Sequence, residues 1–271
     1  MLKTAPSRRY LVGISAGLAA ALLLTGCSSS SSAAHQHRAA EAKPQASPSS
    51  AESPNPYSVQ VPIFGPRPKP ERVTLPPSGP LAPIFKTVPT TQPVVFITVD
   101  DGQVQLPEIF DLLKAAKVPI STFLISPVAA KNPQFFRTLR DDYGAPIEAH
   151  TLTHPKLKGM PYEKQRHEIC GSADQLKQLF GKRPTLFRPP YGEYDQTTLR
   201  AAHDCGMHAV FYWRESVTRG HVYYQTSEKK LRPGDIILMH FRKEFVTDFI
   251  ATLNEIKANG LTPALLENYI N

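Results

Sequence analysis

Cysteine is scarce. The 271 residues contain three, Cys27, Cys170 and Cys205, and no two are close enough for a C-x-x-C redox motif. No basic stripe interleaved with aromatic residues is present, which argues against a nucleic-acid partner. A comfortable membrane span is missing too, because the apolar stretch from Tyr10 to Leu24 is short and rich in small residues.

What that stretch does resemble is a secretory signal. Lys3, Arg8 and Arg9 precede it, "SRRYLVG" resembles a twin-arginine export motif, and "LLTGC" resembles a lipobox. By that resemblance residues 1–27 are a signal peptide and Cys27 becomes the lipid-attachment residue of a mature bacterial lipoprotein. An uncleaved anchor helix is the alternative, and in either case the domain is exported and held at the outer face of the cell membrane. The formal charge of +8 falls to +5 once those three bases are removed, a modest excess that suits an anionic envelope polymer.

Residues 28–92 run from serines into repeated prolines, with few apolar clusters to offset the entropy of ordering. They are expected to form a disordered tether, extended in its proline-rich half. Within the remaining chain Cys170 and Cys205 both fall in helical patterns, and in an exported protein they are either a disulfide or two buried thiols.

From Pro93 to Asn271 strand-like and helix-like segments alternate. "VVFITV", "PISTFLI", "PIEAH", "TLFR", "HAVFYW" and "DIILMH" are separated by amphipathic stretches such as "LPEIFDLLKAAK" and "YEKQRHEICGSADQLKQLFG". Repeated β-then-α units imply an α/β fold of parallel strands wrapped by helices, with functional groups gathered where strands end. The polar residues fall there: Asp100 and Asp101, His150, Arg188, Trp213 and His240.

Adjacent aspartates repel when both are ionised, so an apolar strand that ends in Asp100–Asp101 carries either a turn cap or a site that needs two acids. His150 and His154 are four apart in "HTLTH", and one helical turn after the strand would place both imidazoles on the same side. With one aspartate they make a set that leaves water positions open on a divalent cation, for which zinc is the default.

"TVDDG", "HTLTH", "RPPYG" and "LMH", in that order and at those strand ends, resemble the motifs of the NodB-homology polysaccharide deacetylases, carbohydrate esterase family four. The resemblance covers residues 93–271. It implies a distorted (β/α) barrel and metal-dependent deacetylation of a glycan substrate, acting as a monomer. It further implies that Asp101, His150 and His154 hold one divalent metal ion, that Asp100 is the catalytic base and His240 the acid, that Arg188 orients Asp100, and that the Tyr191 N–H helps bind the oxyanion. Pro190 and Trp213 would line the substrate groove.

Two departures from the family pattern stand out. Gln103 and Val104 follow "DDG" where the family continues with proline. Trp213 is followed by Arg214, Glu215 and Ser216, where the family brings an acid to hold the histidine. Glu215 is the available substitute, whereas Arg214 beside His240 would lower the pKa of that histidine. Three readings follow: an N-deacetylase of an envelope or environmental glycan, a glycan-binding module that has lost turnover, or an O-acetyl esterase.

Overall fold

The computed structural model describes residues 53–75 and 79–270; the signal-like segment with Cys27 and the serine-rich start of the tether lie outside them. Strands β1 (Ile84–Phe85), β2 (Val94–Asp101), β3 (Ser121–Leu124), β4 (Ile147–Ala149), β5 (Leu186–Phe187), β6 (Ala209–Phe211), β7 (Glu215–Thr218), β8 (His221–Tyr224), β9 (Ile236–His240) and β10 (Thr262–Ala264) form one sheet. The helices are α1 (Glu108–Ala116), α2 (Ser126–Ala129), α3 (Pro133–Tyr143), α4 (Tyr162–Phe180), α5 (Gln196–Asp204) and α6 (Phe245–Ala258).

The strand order is β1-β6-β5-β4-β3-β2-β9-β7-β8, with β10 also paired to β2, and the only antiparallel pair among the described strands is β7–β8. The path ends on β1 and β8 instead of closing, so the fold is the expected distorted (β/α) barrel. Local chemistry sets the helix limits. Asn132 caps α3 through the Phe135 N–H, Pro133 takes its first position, and Gly144 at φ 66° ends it.

Alternation along β2 separates two cores. Val95, Ile97 and Val99 pack under the helices with Ile109, Leu112, Phe136, Leu176 and Phe249. Val94 and Phe96 join Phe123, Leu186, Phe211, Leu266 and Tyr269 on the other face. Thr98 and Asp100 share the parity of Phe96, which puts them on this inner face.

The tether boundary at 92 is too late. Ile84 and Phe85 pair in register with Val210 and Phe211, Phe85 stacks on Phe211 at 5.9 Å, and Val61, Ala82 and Val88 are buried. Arg67 donates to the Pro263 carbonyl at 3.0 Å and Lys257 to that of Ile63 at 2.8 Å. A composition window averages these few apolar residues with their prolines. A short parallel edge strand needs only two of them to land on an existing sheet. The β7–β8 hairpin was missed for a related reason. Its two-residue turn is Arg219–Gly220, both at positive φ (52° and 75°), in place of a recognisable Asn-Gly.

The two helical cysteines are joined: Cys170 on α4 is bonded to Cys205, the residue that ends α5, closing a loop of 35 residues. A loop of that length restricts the unfolded chain by about 3–4 kcal/mol on a chain-entropy basis. Cys170→Ser/Cys205→Ser is therefore expected to lose about that much stability in a urea titration. An unchanged midpoint would show that packing alone holds α4 to α5.

Candidate active site

Pleat parity explains why the polar residues meet. The inner-face positions run off the ends of five strands as Asp100, His150, Arg188, Trp213 and His240, each two residues beyond an inner-face hydrophobe or buried polar group. Asp100 and His240 are direct partners across β2 and β9.

Asp101 has the opposite parity and would point under the helices in a regular strand. Its φ of 79° turns it out of the pleat, so both carboxylates reach the same place. Gly102 follows at φ 102°, where a Cβ would stand 3.0 Å from the Phe136 ring. Of the six described non-glycine residues at positive φ, Asp101, Thr151, His154 and Tyr191 lie at this site, so the strained backbone is concentrated here.

The two acids have different surroundings. Asp100, 2% exposed, accepts from Arg188 Nη1 at 2.7 Å, and Arg188 is itself fully buried. That guanidinium also donates to Thr98 Oγ1 at 2.8 Å and to the Tyr212 carbonyl at 3.2 Å, and it lies 4.4 Å from the centre of the Phe123 ring. Asp101 Oδ1, by contrast, is buried with no hydrogen-bond donor, although His150 Nε2 and His154 Nε2 stand 3.5 and 3.4 Å away.

This is a fitting cradle for a divalent ion. Ligands bonded at about 2.0–2.1 Å with tetrahedral angles stand about 3.3 Å apart, close to the separations here. The three ligand atoms all lie within 4.8 Å of one another. His150 Nδ1 is 2.7 Å from the Arg188 carbonyl, which only accepts, so the ring proton sits on Nδ1 and Nε2 carries a free lone pair.

Burial pushes the Asp101 carboxyl up, but contact with His150 and attraction to His150, His240 and His154 outweigh it and hold it below its ordinary range. Burial pushes His150 down, yet Asp100 and Asp101 raise it overall. Burial and the neighbouring His150 leave His154 lowered.

The expected helical turn after β4 is absent. His150 and His154 converge through a loop in which Thr151 (φ 69°) and His154 (φ 59°) are left-handed and the His154 N–H donates to Thr151 Oγ1 at 3.1 Å. Tyr191 follows buried Pro190 in a short 3-10 turn, and its ring meets that of His154 at 4.6 Å. Trp213 stacks on Tyr212 at 4.3 Å, and at Gly192 an added Cβ would stand 2.2 Å from the Tyr212 ring, so only glycine admits this contact.

The fourth motif is corrected. Glu215 lies opposite Ile237, three residues before His240, about 10 Å back along the strand, so it does not reach the histidine. It faces Asp235 instead. Burial first, and then Asp235, push its carboxyl up to about 8, while Arg214 acts in the opposite sense on this pair. Arg214 therefore does not govern His240. That side chain is held low by burial first, with Arg242 and His150 in the same sense and Asp100 and Asp101 opposing.

Thr98, Tyr212 and Arg242 had escaped the sequence reading. Period-two parity from Asp100 would have found Thr98, whereas Tyr212 contributes only its backbone carbonyl to Arg188 and an adjacent ring to Trp213.

Because its folded pKa lies above its ordinary 4.5, Glu215 contributes stability that is present at low pH and lost as pH rises through about 8. Glu215→Gln should remove that alkaline loss, so the melting temperatures of variant and wild type should move in the variant's favour between pH 5 and pH 9. Hydrolytic activity should stay within about twofold of wild type. A collapse of activity at unchanged stability would return Glu215 to the reaction.

Comparisons with known proteins agree with the geometry. A family model described as polysaccharide deacetylase matches residues 87–210. An uncharacterized protein of Streptomyces coelicolor is 39% identical over 195 residues, 70% of this chain and 78% of that one. A chitooligosaccharide deacetylase of Sinorhizobium fredii is 30% identical, covering 58% of this chain and 77% of its own. Among solved structures, a peptidoglycan N-acetylglucosamine deacetylase shares the fold with a TM-score of 0.60 at 24% identity, over 70% of this chain and 93% of its own. A family-four carbohydrate esterase pseudoenzyme from Bacillus anthracis shares it at 0.57 and 21%, over 65% and 64%. With its motifs, its barrel and relatives of this kind, the chain belongs to the polysaccharide deacetylase family.

Proposed function

We propose that this protein is a metal-dependent hydrolase that removes acetyl groups from an N-acetylated polysaccharide of the cell envelope or a chitin-like glycan. The observation that carries the reading is the buried, unpartnered Asp101 Oδ1 between two imidazole nitrogens, beside a second carboxylate already committed to an arginine. A divalent ion held by Asp101, His150 and His154, with zinc the default, supplies Lewis acidity and lowers the pKa of water toward about 7.

The chain's own groups do the rest. Asp100 stays outside the ligand set, is held in place by its bond to Arg188, and takes the proton of the attacking water. The Tyr191 N–H, set by its left-handed backbone, is offered to the developing oxyanion. Pro190 and Trp213 wall the groove that receives the acetyl group. His240, in register with Asp100, delivers a proton to the departing amine.

A second reading rests on that same histidine. No carboxylate holds it from the fourth motif, and burial disfavours its protonated form, which is the form an amine leaving group needs. An alkoxide needs less assistance than an amine, which favours O-acetyl esters, and the resemblance to a pseudoenzyme fold leaves a glycan-binding role as the limiting case.

The reading also places the domain outside the cytoplasm, tethered through Cys27. The signal-like first 27 residues and the Cys170–Cys205 disulfide, at home in an oxidising compartment, support it. Cys27→Ser is expected to move the protein from the membrane fraction to the soluble one, and unchanged fractionation would contradict the lipid anchor.

The deciding experiment follows acetate release from N-acetylglucosamine oligomers, peptidoglycan and an O-acetylated glycan, with and without chelator. Release from the N-acetylated substrates that chelation abolishes is expected. Asp100→Asn should keep the metal and lose about 10²- to 10⁴-fold in turnover, whereas Asp101→Asn should lose the metal. Release from the ester alone would favour the esterase, and glycan binding without release the binding module.

A further inference from the structure

Glu168 belongs to none of the motifs, yet it is buried on α4, only 7% exposed, and faces the loop that carries both histidines. Its Oε2 accepts from two successive backbone N–H groups, Leu152 and Thr153, each at 2.9 Å, and its Oε1 accepts from Thr153 Oγ1 at 2.6 Å. Those donors are two of the three residues between His150 and His154. We infer that Glu168 is the positioning residue for the metal loop: one carboxylate bonds the middle of "HTLTH" in three places and so fixes the distance and facing of the two imidazoles. The inference rests on the metal site proposed above.

The physical need is specific. Thr151 and His154 are both left-handed, and non-glycine residues keep such strained conformations only where surrounding bonds over-determine them. The loop is neither helix nor strand, so its own backbone gives little. The remaining hydrogen bonds of residues 151–154 are His154 N–H to Thr151 Oγ1 and Ser126 N–H to the Thr151 carbonyl, at 3.1 and 3.3 Å, both on the Thr151 side. Without Glu168 two adjacent amides and a hydroxyl lose their acceptor, and nothing else among the described residues bonds residues 152 and 153.

The helix is also built to carry the load. Leu152 packs so closely on α4 that a Cβ at Gly171 would stand 2.7 Å from Leu152 Cδ1, and the next residue back, Cys170, is bonded to Cys205. Glu168 touches neither the ligand atoms nor the groove, so its effect passes through the loop alone.

The test compares Glu168→Ala with Glu168→Gln in the full chain. Affinity for Zn²⁺ and Co²⁺ is read by competition titration, and hydrogen exchange of the 152 and 153 amides is followed before metal is added. The glutamine oxygen accepts both N–H groups and its amide donates to the Thr153 hydroxyl, so Glu168→Gln should stay within about threefold of wild type. Glu168→Ala should bind about 10- to 100-fold more weakly, the usual penalty for losing an outer-sphere support, with faster exchange at both amides.

Wild-type affinity and exchange in Glu168→Ala would overturn the inference. Should that variant fail to fold, Thr153→Val, which removes only the hydroxyl bond on an exposed residue, must still weaken binding in a protein of normal melting temperature, and unchanged affinity there overturns it equally. A wild-type chain that binds neither ion overturns the metal site itself, an outcome distinct from equal binding by wild type and Glu168→Ala.

Discussion

A guanidinium with no exposure to solvent stands at the centre of this barrel, and the site is arranged around it. Arg188 enters from β5 and bonds Thr98 and Asp100 on β2, while its carbonyl fixes the His150 ring from behind. Taking such a charge out of water costs several kcal/mol, and the cost is recovered only if its partners are in place. Asp100 is therefore less free to wander than an ordinary surface carboxylate. Its orientation and the tautomer of the nearest imidazole both follow from one residue.

That arrangement resolves the repulsion built into Asp100–Asp101. One acid is matched by an internal cation, and the other, turned out of the pleat at φ 79°, is left facing the Nε2 atoms of His150 and His154 with no hydrogen-bond donor of its own. A site that presents three acceptors to one point is unfavourable until a cation occupies it. The strain in four left-handed residues has the same character: it is stored where groups must converge that regular strands would keep apart. The rigid elements behind them, β2, β5 and the disulfide-bonded α4, make that storage possible.

How much of this the sequence reveals depends on how local the cause is. Period-two alternation in "VVFITV" and "DIILMH" places Asp100 and His240 on one face, and both strands and site follow from it. The convergence of His150 and His154 was legible as spacing but not as conformation, because the left-handed backbone is held by Glu168 from a distant helix. The edge strand at Ile84–Phe85 was hidden in proline-rich composition, since its stability comes from β6 and not from its own residues. Glu215 looked like a partner for His240 because sequence proximity to Trp213 says nothing of register, and β7 pairs three residues too early on β9.

The proposed site divides labour between adjacent carboxylates, Asp101 for a cation and Asp100 for Arg188. Anomalous diffraction at the zinc edge from crystals of the full chain soaked in Zn²⁺ tests it most directly. One peak is expected, bonded to Asp101, His150 Nε2 and His154 Nε2, with Asp100 still paired to Arg188. A peak that takes Asp100 as a ligand, with the arginine released, would contradict it.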